Sequence, residues 1–318
     1  MNTQEDTINE IVEVLVQKNK SDWIHRQEDL RKQVLYFSPK YRDFIYKIIS
    51  NRSLNIVERY SDGYIIPIGE PIETQNLKRK QRNKIYTNIR QVDTLPHELG
   101  HAVDLWFGLS QALTSNLVLS NQKTLQEILD EELEINAHFI YLAIMNEYQS
   151  VIASTINPQA YETFIHNIHL YNELKTTPIN FDNKEITMRR KYIQKKLYES
   201  GFVDVYYQLH QKNYLSIMNQ KYLPILDALS SKYDFSALLL SHHTLEYYRQ
   251  SKTRPALEFF ANLFNLKVTS NRYTLECSRT FLPQSFLAFE ELFQVFYDYL
   301  IHHKKLNTIQ LRKANDEL

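Results

Sequence analysis

The 318-residue sequence predicts an α+β protein that is mostly helix, and three observations carry that expectation. Apolar residues recur three and four apart through most of the chain, which puts them on one helical stripe. Only a few short stretches, within residues 54–68 and 84–90, read as strands. Glycine is scarce at 5 residues, while 22 tyrosines and 16 phenylalanines provide for aromatic packing.

Length and composition bound the rest. With 43% hydrophobic residues the chain can bury a substantial core in one large or two modest domains. Basic and acidic residues cancel to zero net charge, which gives no electrostatic basis for nucleic acid or an anionic membrane as a partner. A single cysteine, Cys277, excludes an intramolecular disulfide framework. It suits a reducing compartment, and equally an exported protein without disulfides. No apolar run reaches membrane-spanning length, and the polar start Met1-Asn2-Thr3-Gln4-Glu5-Asp6 lacks the basic region of a signal peptide. The expected location is the cytoplasm, unless a non-classical route exports the chain.

Residues 5–20 form an amphipathic helix with Ile8, Ile11, Val12, Leu15 and Val16 on one stripe. A second helix covers 23–36, and Ser38-Pro39 opens a third that carries Phe44, Ile45, Ile48 and Ile49. These make an N-terminal helical segment, residues 1–53, with packing residues and no chemistry. Residues 54–60 read as a strand, Ser61-Asp62-Gly63 as a turn, and 64–68 as a second strand whose Pro67 suits a sheet edge. The basic run Lys78-Arg79-Lys80-Gln81-Arg82 reads as a solvated loop, and 84–90 as a further strand.

The helix over residues 94–107 carries the chemistry. Its His97-Glu98-Leu99-Gly100-His101 is the His-Glu-x-x-His pattern of helical zinc sites. Residues i and i+4 share a helical face, so two imidazoles can aim at one ion, and Glu98 can reach a water bound to it. In many helices the same pattern holds only surface or core histidines, but the flanks here favour a site. Thr94 can act as N-cap, Pro96 sits in the first turn where its missing N–H costs nothing, and Gly108 marks an end. Leu95, Leu99, Ala102, Val103 and Phe107 bury one side of the helix. Gly100, costly within a helix, points to a close neighbour.

From 110 to 250 the period is helical almost throughout, with 125–148 the longest continuous piece. Pro158, Pro178 and Pro224 are expected to break it into hairpins. Strong amphipathic helices over 254–264 and 284–303 close the chain.

A catalytic zinc takes three protein ligands and keeps one open position. Four candidates exist for the third ligand. Asp104, seven residues after His97, shares its face and suits a partner that orients an imidazole. Glu131, Glu132 and Glu134 lie in a carboxylate-dense run that reads more simply as a solvated face. The tandem His242-His243 can ligate, though exposed pairs are usually incidental. Glu258 stands alone among apolar residues, and a carboxylate so placed needs a partner, which zinc would supply.

His97-Glu98-Leu99-Gly100-His101-Ala102-Val103-Asp104 together with Glu258-Phe259-Phe260-Ala261-Asn262-Leu263-Phe264 resembles the catalytic domain of the anthrax lethal factor family, which includes the Pro-Pro endopeptidases. The resemblance implies a zincin-like metalloprotease domain, a small sheet plus zinc-site helices, built from residues 54–109 and 244–318. In that family a Glu-Phe-Phe-Ala helix supplies the third zinc ligand, which maps onto Glu258. Pro283-Gln284-Ser285-Phe286-Leu287-Ala288-Phe289 resembles the family's closing helix. The family also places a tyrosine upstream of that glutamate to stabilise the tetrahedral intermediate. Its counterpart here is Tyr248 or Tyr247, both a few residues farther from Glu258 than the family spacing. The segment from His101 to Glu258 is far longer than in the family and implies a helical insertion over residues 110–243.

The resulting expectation is a zinc-dependent metalloendopeptidase acting on a protein or peptide substrate. One Zn2+ ion is held by His97, His101 and Glu258, with Glu98 as general base and Tyr248 as oxyanion donor. Two rivals stand beside it: a non-catalytic interaction protein on a toxin-derived zincin fold, and a cytoplasmic regulatory protease that cuts a repressor. Glu98 argues against the first, because a purely structural metal site has no need of a base. The resemblance also adds delivery as a toxin to the routes out of the cytoplasm.

Overall fold

A computed structural model of the protein describes residues 4–19, 26–50, 55–58, 84–87, 94–106, 117–176, 183–211, 214–233, 235, 245–249, 251–302 and 310–311. These residues are mostly helical, with four short strands among them. They divide into two compact units, Met1–Glu134 with Ser251–Leu318, and Ile135–Gln250. The expected insertion spans 110–243; the observed inserted unit spans Ile135–Gln250.

The first unit opens with helices α1 (Gln4–Asn19), α2 (Gln27–Tyr36) and α3 (Arg42–Ile49), the last entered through a 3-10 turn at Pro39–Tyr41. Their apolar stripes face inward. Ile8, Ile11, Val12 and Leu15 of α1, Leu30 and Val34 of α2, and Phe44, Ile45, Ile48 and Ile49 of α3 are all buried. Strands β1 (Asn55–Glu58) and β2 (Lys84–Thr87) pair in parallel, Asn55 opposite Lys84 and Glu58 opposite Thr87. Helix α4 (Thr94–Trp106) follows and lies against β2. The strand expected at 64–68, the run Lys78 to Arg82, Phe107 and Gly108 lie outside the described residues.

Strand β3 (Leu117–Val118) leads into helix α5 (Leu125–Thr155), whose N-terminus is a capping box. The Glu127 amide donates to Thr124 Oγ1 at 3.2 Å, and the Thr124 amide donates to Glu127 Oε2 at 2.9 Å. The boundary between the units falls within α5. The inserted unit continues with α6 (Pro158–Thr176), α7 (Lys184–Glu199), α8 (Phe202–Gln211), α9 (Tyr214–Leu229) and α10 (Leu245–Arg249). Asn183 caps α7, accepting the Ile186 amide at 3.1 Å. Gly201 turns the chain from α7 into α8 at φ +75°, a left-handed conformation that favours glycine. Pro158 opens α6 as expected, and Pro178 lies outside the described residues. Pro224 departs from expectation: it sits inside α9 without ending it. The neighbouring Ile225, Leu226, Ala228 and Leu229 are fully buried, and their packing outweighs the one backbone hydrogen bond that proline removes.

The chain then returns to the first unit with α11 (Arg254–Val268), α12 (Arg272–Phe281), α13 (Pro283–His302) and β4 (Gln310–Leu311), which pairs antiparallel with β3. The sequence period predicts an amphipathic α11, but every residue of it except Lys267 is buried. It is the unit's central helix, with α4 against one side and an aromatic layer on another. In that layer Phe264 lies 6.1 Å from Phe44 of α3 and 5.8 Å from Phe293 of α13, while Phe260 lies 5.6 Å from Phe289. Each fully buried phenylalanine contributes about 1.5–3 kcal/mol. A central helix held this firmly gives its one carboxylate a fixed position.

Candidate metal centre

Leu95, Leu99, Ala102 and Val103 are buried and seat α4 in the core, with His97 and His101 one turn apart on a shared face. Gly100 fixes how closely α4 approaches α11. A Cβ at this position would meet Ala261 Cα at 2.8 Å, Ala261 O at 3.1 Å and Phe264 Cβ at 3.1 Å. The two backbones touch there, as the cost of a mid-helix glycine suggests.

That contact brings Glu258 to the histidines. Glu258 Oε2 lies 3.4 Å from His97 Nε2 and 3.4 Å from His101 Nε2, and the two Nε2 atoms are 3.2 Å apart. An ideal tetrahedron with metal–ligand bonds of about 2.0–2.1 Å has edges of about 3.3–3.4 Å. The three donor atoms therefore match one face of a tetrahedral zinc site. His97, Glu98 and His101 also form a group able to hold a cation, with donor atoms within 4.8 Å of one another. Its spread is wider, since Glu98 Oε1 stands 3.9 Å from His97 Nε2. Edge lengths thus favour Glu258 over Glu98 as the third donor. Two imidazoles and a carboxylate also make a donor set that suits zinc.

Burial sets the electrostatics. Glu98, His101 and Glu258 are almost completely buried, and His97, 20% exposed, forms the open edge. In the metal-free protein, burial pushes the Glu98 carboxyl up to about 8, opposed by His97 and reinforced by Glu258. Burial also acts upward on Glu258, but His101 and His97 outweigh it and hold that carboxyl well below the usual range. Glu98 Oε2 is buried with no hydrogen-bond partner among the described residues. Leaving such an atom unmatched is costly unless something absent from the bare chain completes it.

The other expected residues each have their own surroundings. Tyr248 belongs to the inserted unit, is fully buried, and donates its hydroxyl proton to Asp227 of α9. Tyr247 packs edge-on against Tyr248 at 5.2 Å. Asp104 is buried on α4 one turn beyond His101. Glu131 and Glu134 are exposed as expected of a solvated face, but Glu132 is not. Its Oε1 accepts the Gln284 amide at 3.0 Å, and its Oε2 accepts the Ser285 amide at 2.8 Å and hydroxyl at 2.6 Å, so it caps α13. His242 and His243 lie outside the described residues. Two further polar side chains escaped the sequence reading: Arg254 and Asn262, both buried, one turn before and after Glu258. Their spacing of four from Glu258 within an apolar helix was the available signal. No family model matches the chain, and neither does any curated protein or any solved structure.

Proposed function

We propose that the protein is a zinc-dependent metalloendopeptidase with a zincin-like centre, in which His97, His101 and Glu258 hold one ion and Glu98 carries the proton. The observation that carries this reading is the 3.2–3.4 Å triangle of donor atoms beside the buried, unmatched Oε2 of Glu98. Three protein ligands suit a catalytic zinc, whereas structural sites use four. The likeness of both helical motifs to the lethal factor and Pro-Pro endopeptidase family supports the same reading.

Zinc held there supplies a Lewis acid for the substrate carbonyl and brings the pKa of a water near neutrality. The chain's own residues do the rest. Glu98 takes the proton of the attacking water and returns it to the departing amide nitrogen. The hydroxyl ends on the carbonyl carbon and the proton on nitrogen, so the peptide bond is hydrolysed without redox change. A cation beside Glu98 would favour the ionised form that accepts this proton, and burial, which penalises the charged carboxylate, favours its uptake. These proton transfers require nothing of Tyr248, whose hydroxyl donates to Asp227.

The test is zinc content and peptide-library cleavage for the wild type and Glu98→Gln. Glu98→Gln keeps size and hydrogen bonding but not basicity, so zinc stays at about one per chain while cleavage falls about 10²–10⁴-fold. Unchanged cleavage would place the chemistry elsewhere. A wild type that cleaves nothing would favour a binding role.

A further inference from the structure

We infer that Gly100 is a spacer that sets the distance between the ligand-bearing helices, and with it the size of cation the centre accepts. The inference rests on the metal-site reading above and adds a positioning residue to it. His97 and His101 share α4, so the 3.2 Å between their Nε2 atoms is set within one helix. Both 3.4 Å edges to Glu258 Oε2 cross from α4 to α11, and that crossing is gauged where the backbones meet.

The meeting point lies next to the ligands: Gly100 directly precedes His101, and Ala261 follows Glu258 by three residues. A methyl at 100 would stand 2.8 Å from Ala261 Cα and 3.1 Å from its carbonyl oxygen. Ordinary carbon–carbon contact is about 3.5–4.0 Å, so the helices must part by about 0.7 Å or more. Both atoms of Ala261 are backbone, so no side-chain rotation relieves the clash. Glu258 is buried and has little freedom to follow. Its two edges then lengthen while the His97–His101 edge does not. The widened triangle suits a larger dication with longer bonds, such as cadmium, better than zinc.

The experiment titrates full-length wild type and Gly100→Ala with zinc and with cadmium against a chromophoric chelator. Zinc affinity of Gly100→Ala is expected to fall about tenfold or more, comparable to losing a partner that orients a ligand. Cadmium affinity falls far less, so the zinc-to-cadmium ratio drops by about the same tenfold. Ala261→Gly, which weakens the helix without adding an atom to the gap, keeps the wild-type ratio. If Gly100→Ala is unfolded without metal, cadmium restores its helical circular dichroism at a lower concentration than zinc. An unchanged ratio, or a variant that neither ion refolds, overturns the spacer role and leaves Gly100 a packing residue. A wild type that binds neither ion refutes the metal site itself, a distinct result.

Discussion

Two of the carboxylates buried in the first unit, Glu132 and Glu258, have surroundings that differ in kind. Glu132 of α5 meets two amides and a hydroxyl at the start of α13, at 2.6–3.0 Å. Every neighbour brings its own hydrogen, the helix terminus favours negative charge, and the set is complete without any further group. Glu258 of α11 meets two imidazole nitrogens at 3.4 Å. Charge-assisted N–H···O bonds run about 2.7–2.9 Å, so these contacts are longer than good hydrogen bonds, and their length fits the proposed ion site. Burial alone does not separate the structural carboxylate from the one proposed as a ligand. Distances and the nature of the facing atoms do.

Removing each carboxylate tests that contrast. Glu258→Ala and His101→Ala should weaken zinc binding at least about 100-fold, beyond the usual cost of losing an outer partner, and leave no zinc on the purified protein. Glu132→Ala should keep its zinc and lose stability by about 1–3 kcal/mol, because the α13 amides lose their acceptor. Metal analysis beside urea melts reads both effects. Zinc lost from Glu132→Ala, or kept by Glu258→Ala, would erase the distinction.

The contrast was only half legible in the sequence. Ligand spacing within α4 follows from helical geometry alone, and Gly100 announced a close neighbour by its cost. Glu258 was visible because a charge within Ala256, Leu257, Phe259 and Phe260 demands a partner. Glu132 was hidden by Glu131 and Glu134, which are exposed and gave the run its solvated look. Its register showed otherwise: Ile128 and Leu129, both buried, lie one turn before it on the same face. Pro224 reads as a break from local propensity alone, and the buried packing around it keeps α9 continuous. Separations across α4 and α11 depend on long-range packing, which no local pattern encodes.

A finer comparison lies inside the centre itself, where Glu98 and Glu258 are displaced in opposite directions. Glu98 ionises near pH 4.5 when unfolded but near about 8 in the metal-free fold, because burial penalises its charge. Between those values the folded state holds the extra proton, so this residue's contribution to stability falls as pH rises. Glu258 has the reverse sign: its contribution is present above about 4.5 and is lost as pH falls through its lowered folded value. From about pH 5 to 8, of these two only Glu98 titrates. Glu98→Gln removes that titration and leaves the other groups in place. In the presence of a chelator, the wild type should therefore lose stability relative to Glu98→Gln as pH rises through this window. The effect is the smallest of those proposed, about 2–4 °C in Tm, because relaxation and water entry lower the cost of a buried charge. Zinc should narrow the gap, since a cation beside Glu98 favours its ionised form. Parallel melting curves from pH 5 to 8 would mean that Glu98 ionises freely in the fold, and its fitness as a proton carrier would then lose its electrostatic basis.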